Sequence, residues 1–318
     1  MKLLLRSLLL LLAALLFFAL AGIWATWEPD RPVDQLKARW AQPPSQFVPV
    51  AGLAVHVRDE GPRSDPLPIV LLHGTSASLH TWDGWAAALR AERRVIRFDL
   101  PAFGLTGPNA EGDYTIAAYV RFVTAMLDAL GLQRVVLAGN SLGGEIAWAT
   151  ALALPQRVDR LVLVDAAGYD LASAGVQPTV PLGFMLARMG WLASLTQHML
   201  PRGLVERSLR AVYGDPSRVT PELVDRYAEL ALRAGNRRAL GQRMKLVLAV
   251  EPGRIKGVRQ PTLILWGGRD RLLVPELGRR FARDIAGSRL VMFDQLGHVP
   301  HEEDPARTVA AVKDFLKS

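Results

Sequence analysis

The sequence contains no cysteine. Disulfides, thiolate metal sites and a cysteine nucleophile are therefore excluded, and the chain is compatible with either redox compartment. Lysine is scarce, and the formal charge of +8 is carried mostly by arginine scattered along the chain. There is no basic run with interleaved aromatics, so the charge reads as compositional bias and no nucleic-acid partner is expected. Acidic residues are missing from the first stretch of the chain and begin only at Glu28 and Asp30.

What stands in that first stretch is apolar. Lys2 and Arg6 precede a run from Leu8 to Trp27 that is interrupted only by Thr26 and closes with Trp24 and Trp27. Its length suits a bilayer core, and the two tryptophans stand where interfacial anchors stand. Residues 1–27 are expected to be an uncleaved signal anchor. Lys2 and Arg6 would then stay inside, with the rest of the chain on the periplasmic or extracellular side. Cleavage near Ala21, after Ala19-Leu20-Ala21, would instead release a secreted protein. Residues 28–45, with Pro29, Pro32, Pro43 and Pro44, read as a linker or a short amphipathic helix.

With 318 residues, 50% of them hydrophobic, the rest can bury one large core plus an insertion. Gln46–Val50 and Leu53–Arg58 alternate around Ala51-Gly52 as a hairpin does. Ile69–Leu72, Val135–Ala138, Leu161–Val164, Thr262–Trp266 and Leu290–Phe293 are short, mostly apolar runs, the pattern of strands buried on both faces, and Arg94–Phe98 reads as a further strand. Helical periodicity separates them. It spans Thr81–Arg90, with Trp82 and Trp85 on one face, and Thr115–Leu130, ending at the C-cap residue Gly131. The alternation predicts an α/β protein with a mostly parallel, doubly wound sheet. From 169 to 258 no strand pattern appears. Apolar Pro181–Leu200 (with Phe184, Met185, Met189 and Trp191) and amphipathic Gly203–Tyr213, Pro221–Ala234 and Arg237–Val250 read as a helical cap over the crevice. The domains are thus 46–168 with 259–318 as the core, and 169–258 as the cap.

The chemistry points to strand ends. Gly139-Asn140-Ser141-Leu142-Gly143 is a G-x-S-x-G pattern between a strand and a helix, where a serine on a strained turn needs small neighbours. Asp270 and His298 each follow a later strand, so acid and histidine fall on the same sheet edge as Ser141. A serine, a base and a carboxylate that orients the base are the set nucleophilic acyl chemistry needs. The strand ending in His73-Gly74-Thr75-Ser76 is where a second oxyanion donor or a plain turn would stand. His73 is expected to be structural, and Asp99 in Asp99-Leu100-Pro101-Ala102-Phe103-Gly104 a loop-capping group.

These motifs resemble those of the α/β-hydrolase family over nearly all of Gln46 to Ser318: H-G-T-S at His73, D-L-P-A-F-G at Asp99, G-N-S-L-G-G at Gly139, W-G-G-R-D at Trp266 and G-H-V-P-H-E-E-D-P at Gly297. The resemblance implies Ser141 as nucleophile, Asp270 as acid, His298 as base, and the backbone amides of Thr75 and Leu142 as oxyanion hole. Asp165 is a second possible acid. His301 competes with His298, but His301 and Glu303 are expected to cap the last helix. Serine at the elbow argues against haloalkane dehalogenases and epoxide hydrolases, which carry aspartate there. The N-S-L-G-G elbow is similar to that of meta-cleavage carbon–carbon hydrolases, whose Gly-Pro-Gly loop and tryptophan after the histidine are replaced here by Thr75-Ser76-Ala77-Ser78 and Val299. A serine perhydrolase would share the same residues. The expected activity is hydrolysis of a carboxylic ester with a hydrophobic acyl or alcohol part, without cofactor or metal. Carbon–carbon hydrolysis and a non-catalytic membrane protein of the same fold are the alternatives.

Overall fold

The short apolar runs become strands because both of their faces are covered. In the computed structural model, which describes residues 2–170, 198–246 and 252–317, successive side chains of the strand Ile69–Leu72 enter two different cores. Val70 and Leu72 join one, and Ile69 and Leu71 the other. Val135 and Leu137 alternate with Val136 and Ala138 in the same way, as the two-residue period of a strand requires.

Eight strands form one sheet: β1 (Gln46–Val50), β2 (Leu53–Glu60), β3 (Ile69–Leu72), β4 (Val95–Phe98), β5 (Val135–Asn140), β6 (Val158–Val164), β7 (Thr262–Gly267) and β8 (Arg289–Phe293), in the order β1-β2-β4-β3-β5-β6-β7-β8. β1 and β2 form the expected hairpin. Ala51 and Gly52 at its turn have φ of 50° and 74°, the positive pair that a two-residue hairpin turn needs. β2 meets β4 antiparallel, and every pairing from β4 to β8 is parallel. All the parallel strands therefore deliver their carboxyl ends to one edge.

Helices α4 (Ile116–Ala129), α5 (Leu142–Ala153) and α9 (Pro275–Asp284) cover one face, and α3 (Asp83–Leu89) and α11 (Pro305–Lys317) the other. Thr115 caps α4 by accepting from Ala118 N at 3.2 Å, and Gly131 follows its end with φ 65°. On the second face Trp82 and Trp85 are fully buried, and the Trp85 indole donates to Thr308 Oγ1 of α11 at 2.9 Å. Each such side chain contributes about 1.5–3 kcal/mol through burial.

The described part of the segment expected to form the cap holds α6 (Arg202–Val212), α7 (Pro221–Ala231) and α8 (Asn236–Met244), where helical periodicity places them. The apolar stretch with Phe184, Met185, Met189 and Trp191 lies outside the described residues, as do 247–251. Before the core, α1 (Lys2–Thr26) contains a span, Leu5–Thr26, that is long and apolar enough to cross a membrane, with mean hydropathy 2.7 and no burial against the protein.

Of the two readings of 28–45, the short helix is the one formed: α2 spans Val33–Trp40. The segment is stitched to the cap. Arg31 N donates to Leu232 O (2.7 Å), Ala234 N to Arg31 O (2.9 Å), and Arg237 Nη2 to Asp30 Oδ1 (2.6 Å). Further along, Trp40 Nε1 donates to Glu229 Oε2 at 2.7 Å.

Candidate active site

β5 ends in a turn that only small residues permit. A Cβ on Gly139 would fall 2.1 Å from Gly143 O, and one on Gly143 would fall 2.2 Å from Leu72 O. Between them Ser141 has φ 53° and ψ −117°, a sparsely populated conformation that persists only where surroundings impose it. Ser141 N is held by Val164 O (3.1 Å), and Ser141 O accepts from Ala167 N (3.0 Å). The side chain is partly exposed at the sheet edge. Leu142 is the first residue of α5, so its N–H belongs to the group that a helix leaves without an internal acceptor. Thr75 stands three residues beyond β3, the strand paired with β5, next to Ser76 with φ 62°.

Asp270 and His298 lie three residues past β7 and five past β8. The structure brings them together: His298 Nδ1 and Asp270 Oδ2 are 2.7 Å apart, both groups buried. The other oxygen of Asp270 accepts from Leu272 N (2.7 Å) and Leu273 N (2.9 Å), which fixes the carboxyl plane. Among the described residues no direct hydrogen bond joins Ser141 to His298; such bonds are often long until substrate binds. Their link runs through Asn140, whose Nδ2 donates to His298 O (3.0 Å) and to Val164 O (3.1 Å). Asn140 had carried only a subfamily hint in the sequence. Its structural task, tying the end of β5 to a loop 158 residues away, leaves no local signature.

Asp165 follows β6 with φ 42° and is fully buried. One of its oxygens accepts from Gly267 N at 2.9 Å, and Asp165, Asp270 and His298 each present a polar atom within 4.8 Å of the others. Burial first, and then the neighbouring Asp270, push the Asp165 carboxyl well above the ordinary carboxylate range. That shift disfavours the charged carboxylate that a cation or an orienting acid requires. Asp165→Asn is therefore expected to hold kcat within about tenfold of the wild type, a barrier change of at most about 1.4 kcal/mol. Steady-state ester kinetics test this. A loss comparable to that of Asp270→Asn would return the acid's role to Asp165.

His73 is structural, as its loop position suggests: Nδ1 donates to Gly74 O (2.8 Å) and Nε2 accepts from Leu100 N (2.9 Å). Asp99 is the loop cap, accepting from Leu79 N and Leu105 N (both 2.7 Å) and facing His56 Nδ1 at 2.8 Å. Burial opposes its ionisation, but the facing His56 outweighs this and holds the carboxyl well below its usual range. A carboxylate with a depressed folded pKa stabilises the fold above its unfolded pKa of about 4, and that contribution is lost as pH falls through the folded value. Asp99→Asn should therefore be less stable than the wild type at pH 7, with the difference shrinking below about pH 4. Denaturant titrations across pH measure it, and a pH-independent difference would contradict it.

The expectation that His301 and Glu303 cap the final helix is corrected. Asp304 does so, with its Oδ1 accepting from Arg307 N at 3.1 Å. His301, in the short helix α10 (Pro300–Glu303), is fully buried, is 3.0 Å from Thr81 Oγ1 and packs on Trp82. Burial, then His298, drives its pKa down, so it is a core histidine. Glu303 turns inward instead, toward the loop carrying His298. A histidine and a glutamate just before a helix suggest caps because polar residues are common there; only the loop's path through space redirects them.

A parallel sheet whose strand ends present a strained serine, a histidine–aspartate pair and a free helix amide defines a hydrolase of the α/β class. The chain belongs to the alpha/beta hydrolase fold family, whose model matches residues 68–305. It is 31% identical over 288 residues to the 2-hydroxy-6-oxo-2,4-heptadienoate hydrolase of Pseudomonas putida, covering 85% of this chain and 95% of that protein. Among solved structures, a meta-cleavage product hydrolase from Pseudomonas fluorescens is 26% identical with TM-score 0.72, covering 86% of this chain and 97% of the other. A membrane phospholipase A described as a bacterial virulence factor is 26% identical with TM-score 0.71, covering 100% of this chain and 98% of its own.

Proposed function

We propose that this hydrolase is a membrane-anchored serine esterase acting on a carboxylic ester with a hydrophobic acyl or alcohol part. The observation that carries the reading is the strained Ser141 elbow on the same sheet edge as the 2.7 Å His298–Asp270 pair. In this reading His298, its Nδ1–H turned to Asp270, takes the Ser141 proton on Nε2 as Oγ attacks the ester carbonyl. The oxyanion collects the backbone N–H groups of Leu142 and Thr75, each such donor lowering the barrier by on the order of 3 kcal/mol. His298 then returns the proton to the departing alkoxide. Water, activated by the same base, releases the acid from the acyl-enzyme.

Supporting the membrane part are the bare α1 span and the similarity, along the whole chain, to a membrane phospholipase A. With Lys2 and Arg6 retained inside, the hydrolase domain lies on the periplasmic or extracellular side; cleavage near Ala21 is the alternative.

Carbon–carbon hydrolysis of a vinylogous diketone is the second reading, favoured by the Asn140-Ser141-Leu142-Gly143-Gly144 elbow and by the two meta-cleavage relatives. A panel of p-nitrophenyl esters of rising chain length, run beside a meta-cleavage product, separates the two. Turnover that rises with acyl length and is absent on the diketone supports the esterase. The reverse ranking would overturn it.

A further inference from the structure

A turn of the cap grips the loops of both the acid and the base. Following α6, residues 212–215 meet the histidine loop at three points. His298 N donates to Val212 O at 2.8 Å. Glu303, 5% exposed, accepts from Gly214 N at 2.8 Å and from Asp215 N at 3.4 Å with one oxygen, and from Gly297 N at 2.7 Å with the other. Val299, directly after His298, is buried in the cap's own apolar cluster with Leu209, Tyr213, Val219 and Val224. The acid loop joins the same turn, as Arg269, the residue before Asp270, donates through Nη1 to Gly214 O at 3.2 Å.

The contact is close at backbone level. A Cβ on Gly297 would fall 2.4 Å from Gly214 N, and one on Gly267 would fall 1.9 Å from Gly297 O. Neither the turn nor the two loops can shift alone without breaking hydrogen bonds or colliding with backbone. A buried carboxylate that accepts three backbone donors is a rigid clamp, because each donor stripped of its acceptor would be left unsatisfied out of water.

From this juxtaposition we infer that Glu303 is a positioning residue: it locks the cap turn 212–215 onto the Gly297-His298 backbone and thereby sets His298 against Asp270. The inference rests on the reading of His298 as base. It makes the turn after α6 part of the catalytic framework, fixing the base.

Glu303→Gln is isosteric and retains one accepting oxygen, whereas Glu303→Ala retains none. With full-length protein and a p-nitrophenyl ester, kcat should fall about tenfold in Glu303→Gln and on the order of 100-fold in Glu303→Ala, the scale of a roughly 1 Å misplacement. KM should stay within about twofold, since the contact is not with substrate. Labelling by a fluorophosphonate should slow in parallel. Arg269→Ala, a change at an exposed residue outside both cores, should show a smaller loss of the same kind. A second readout needs no turnover. The His298 Nδ1 proton, assigned by its loss in Asp270→Asn, should give a far-downfield NMR resonance in the wild type and be broadened or shifted in both Glu303 variants. An unchanged kcat and resonance, even with a lowered melting temperature, would make Glu303 a stability residue and overturn the inference. If the wild type hydrolyses no ester, the esterase reading fails instead, and the resonance alone decides on Glu303.

Discussion

Ser141→Ala is expected to fold like the wild type and to hydrolyse no ester above a residue of transition-state binding. The substitution keeps Cβ, so the φ of 53° is no more strained than before, and the hydroxyl it removes belongs to a partly exposed residue at the sheet edge. Gly139, Gly143 and the helix amide of Leu142 remain in place. What is lost is the nucleophile, and with it the acyl-enzyme route. Where a serine of a Ser-His-Asp set is removed, kcat falls by on the order of 10⁶, with about 10³–10⁴ over water surviving from the oxyanion hole and binding. Thermal melts should coincide with the wild type, and a fluorophosphonate probe should label only the wild type. Equal labelling of both proteins would remove Ser141 from the mechanism. A folded wild type that takes no label would mark a non-catalytic member of the fold.

The second large effect is expected from Asp270→Asn, at about 10⁴ in kcat with the fold kept. The asparagine carbonyl can still accept from Leu272 N and Leu273 N, bonds that are 2.7 and 2.9 Å in the wild type, so the loop after β7 should survive. Its amide nitrogen then faces His298 Nδ1, where the wild type has a carboxyl oxygen at 2.7 Å. Two donors cannot share that contact, so the imidazole is driven to the tautomer with the proton on Nε2. That tautomer cannot accept a proton from Ser141. kcat measured beside Asp165→Asn gives the decisive contrast, since Asp165, whose bonded oxygen accepts from Gly267 N, should be replaceable while Asp270, which faces His298 Nδ1, is not. Similar small losses in both variants would mean that either carboxyl can orient the base.

Much of this architecture was legible in the chain itself. The hairpin at Ala51-Gly52 and the strands before His73, Ser141 and Asp165 are set by side-chain periodicity and turn chemistry, which act within a few residues. The likeness to the hydrolase family named Ser141, Asp270 and His298, and the structure places the last two in hydrogen-bond contact and the first on a strained turn at the same edge. Asn140, Arg269 and Glu303 were not legible. Their partners lie 158, 55 and 89 residues away, and a glutamate two residues before a helix looks the same whether it caps that helix or turns inward. His301 illustrates the converse case, a histidine whose motif position suggests chemistry and whose burial against Trp82 assigns it to the core.

The sequence by itself determined the class of sheet, the residue types at each strand end and the anchor-like run before the core. Each of these depends on local propensity, on pattern, or on a spacing that only small residues satisfy. The tertiary structure decided which carboxyl faces His298, that burial beside Asp270 raises the Asp165 pKa, and that the turn at Gly214 is hydrogen-bonded to both loops. Those outcomes depend on burial and on contacts between segments far apart in the chain, and a carboxyl acquires its charge state and its partner only when the fold has closed around it.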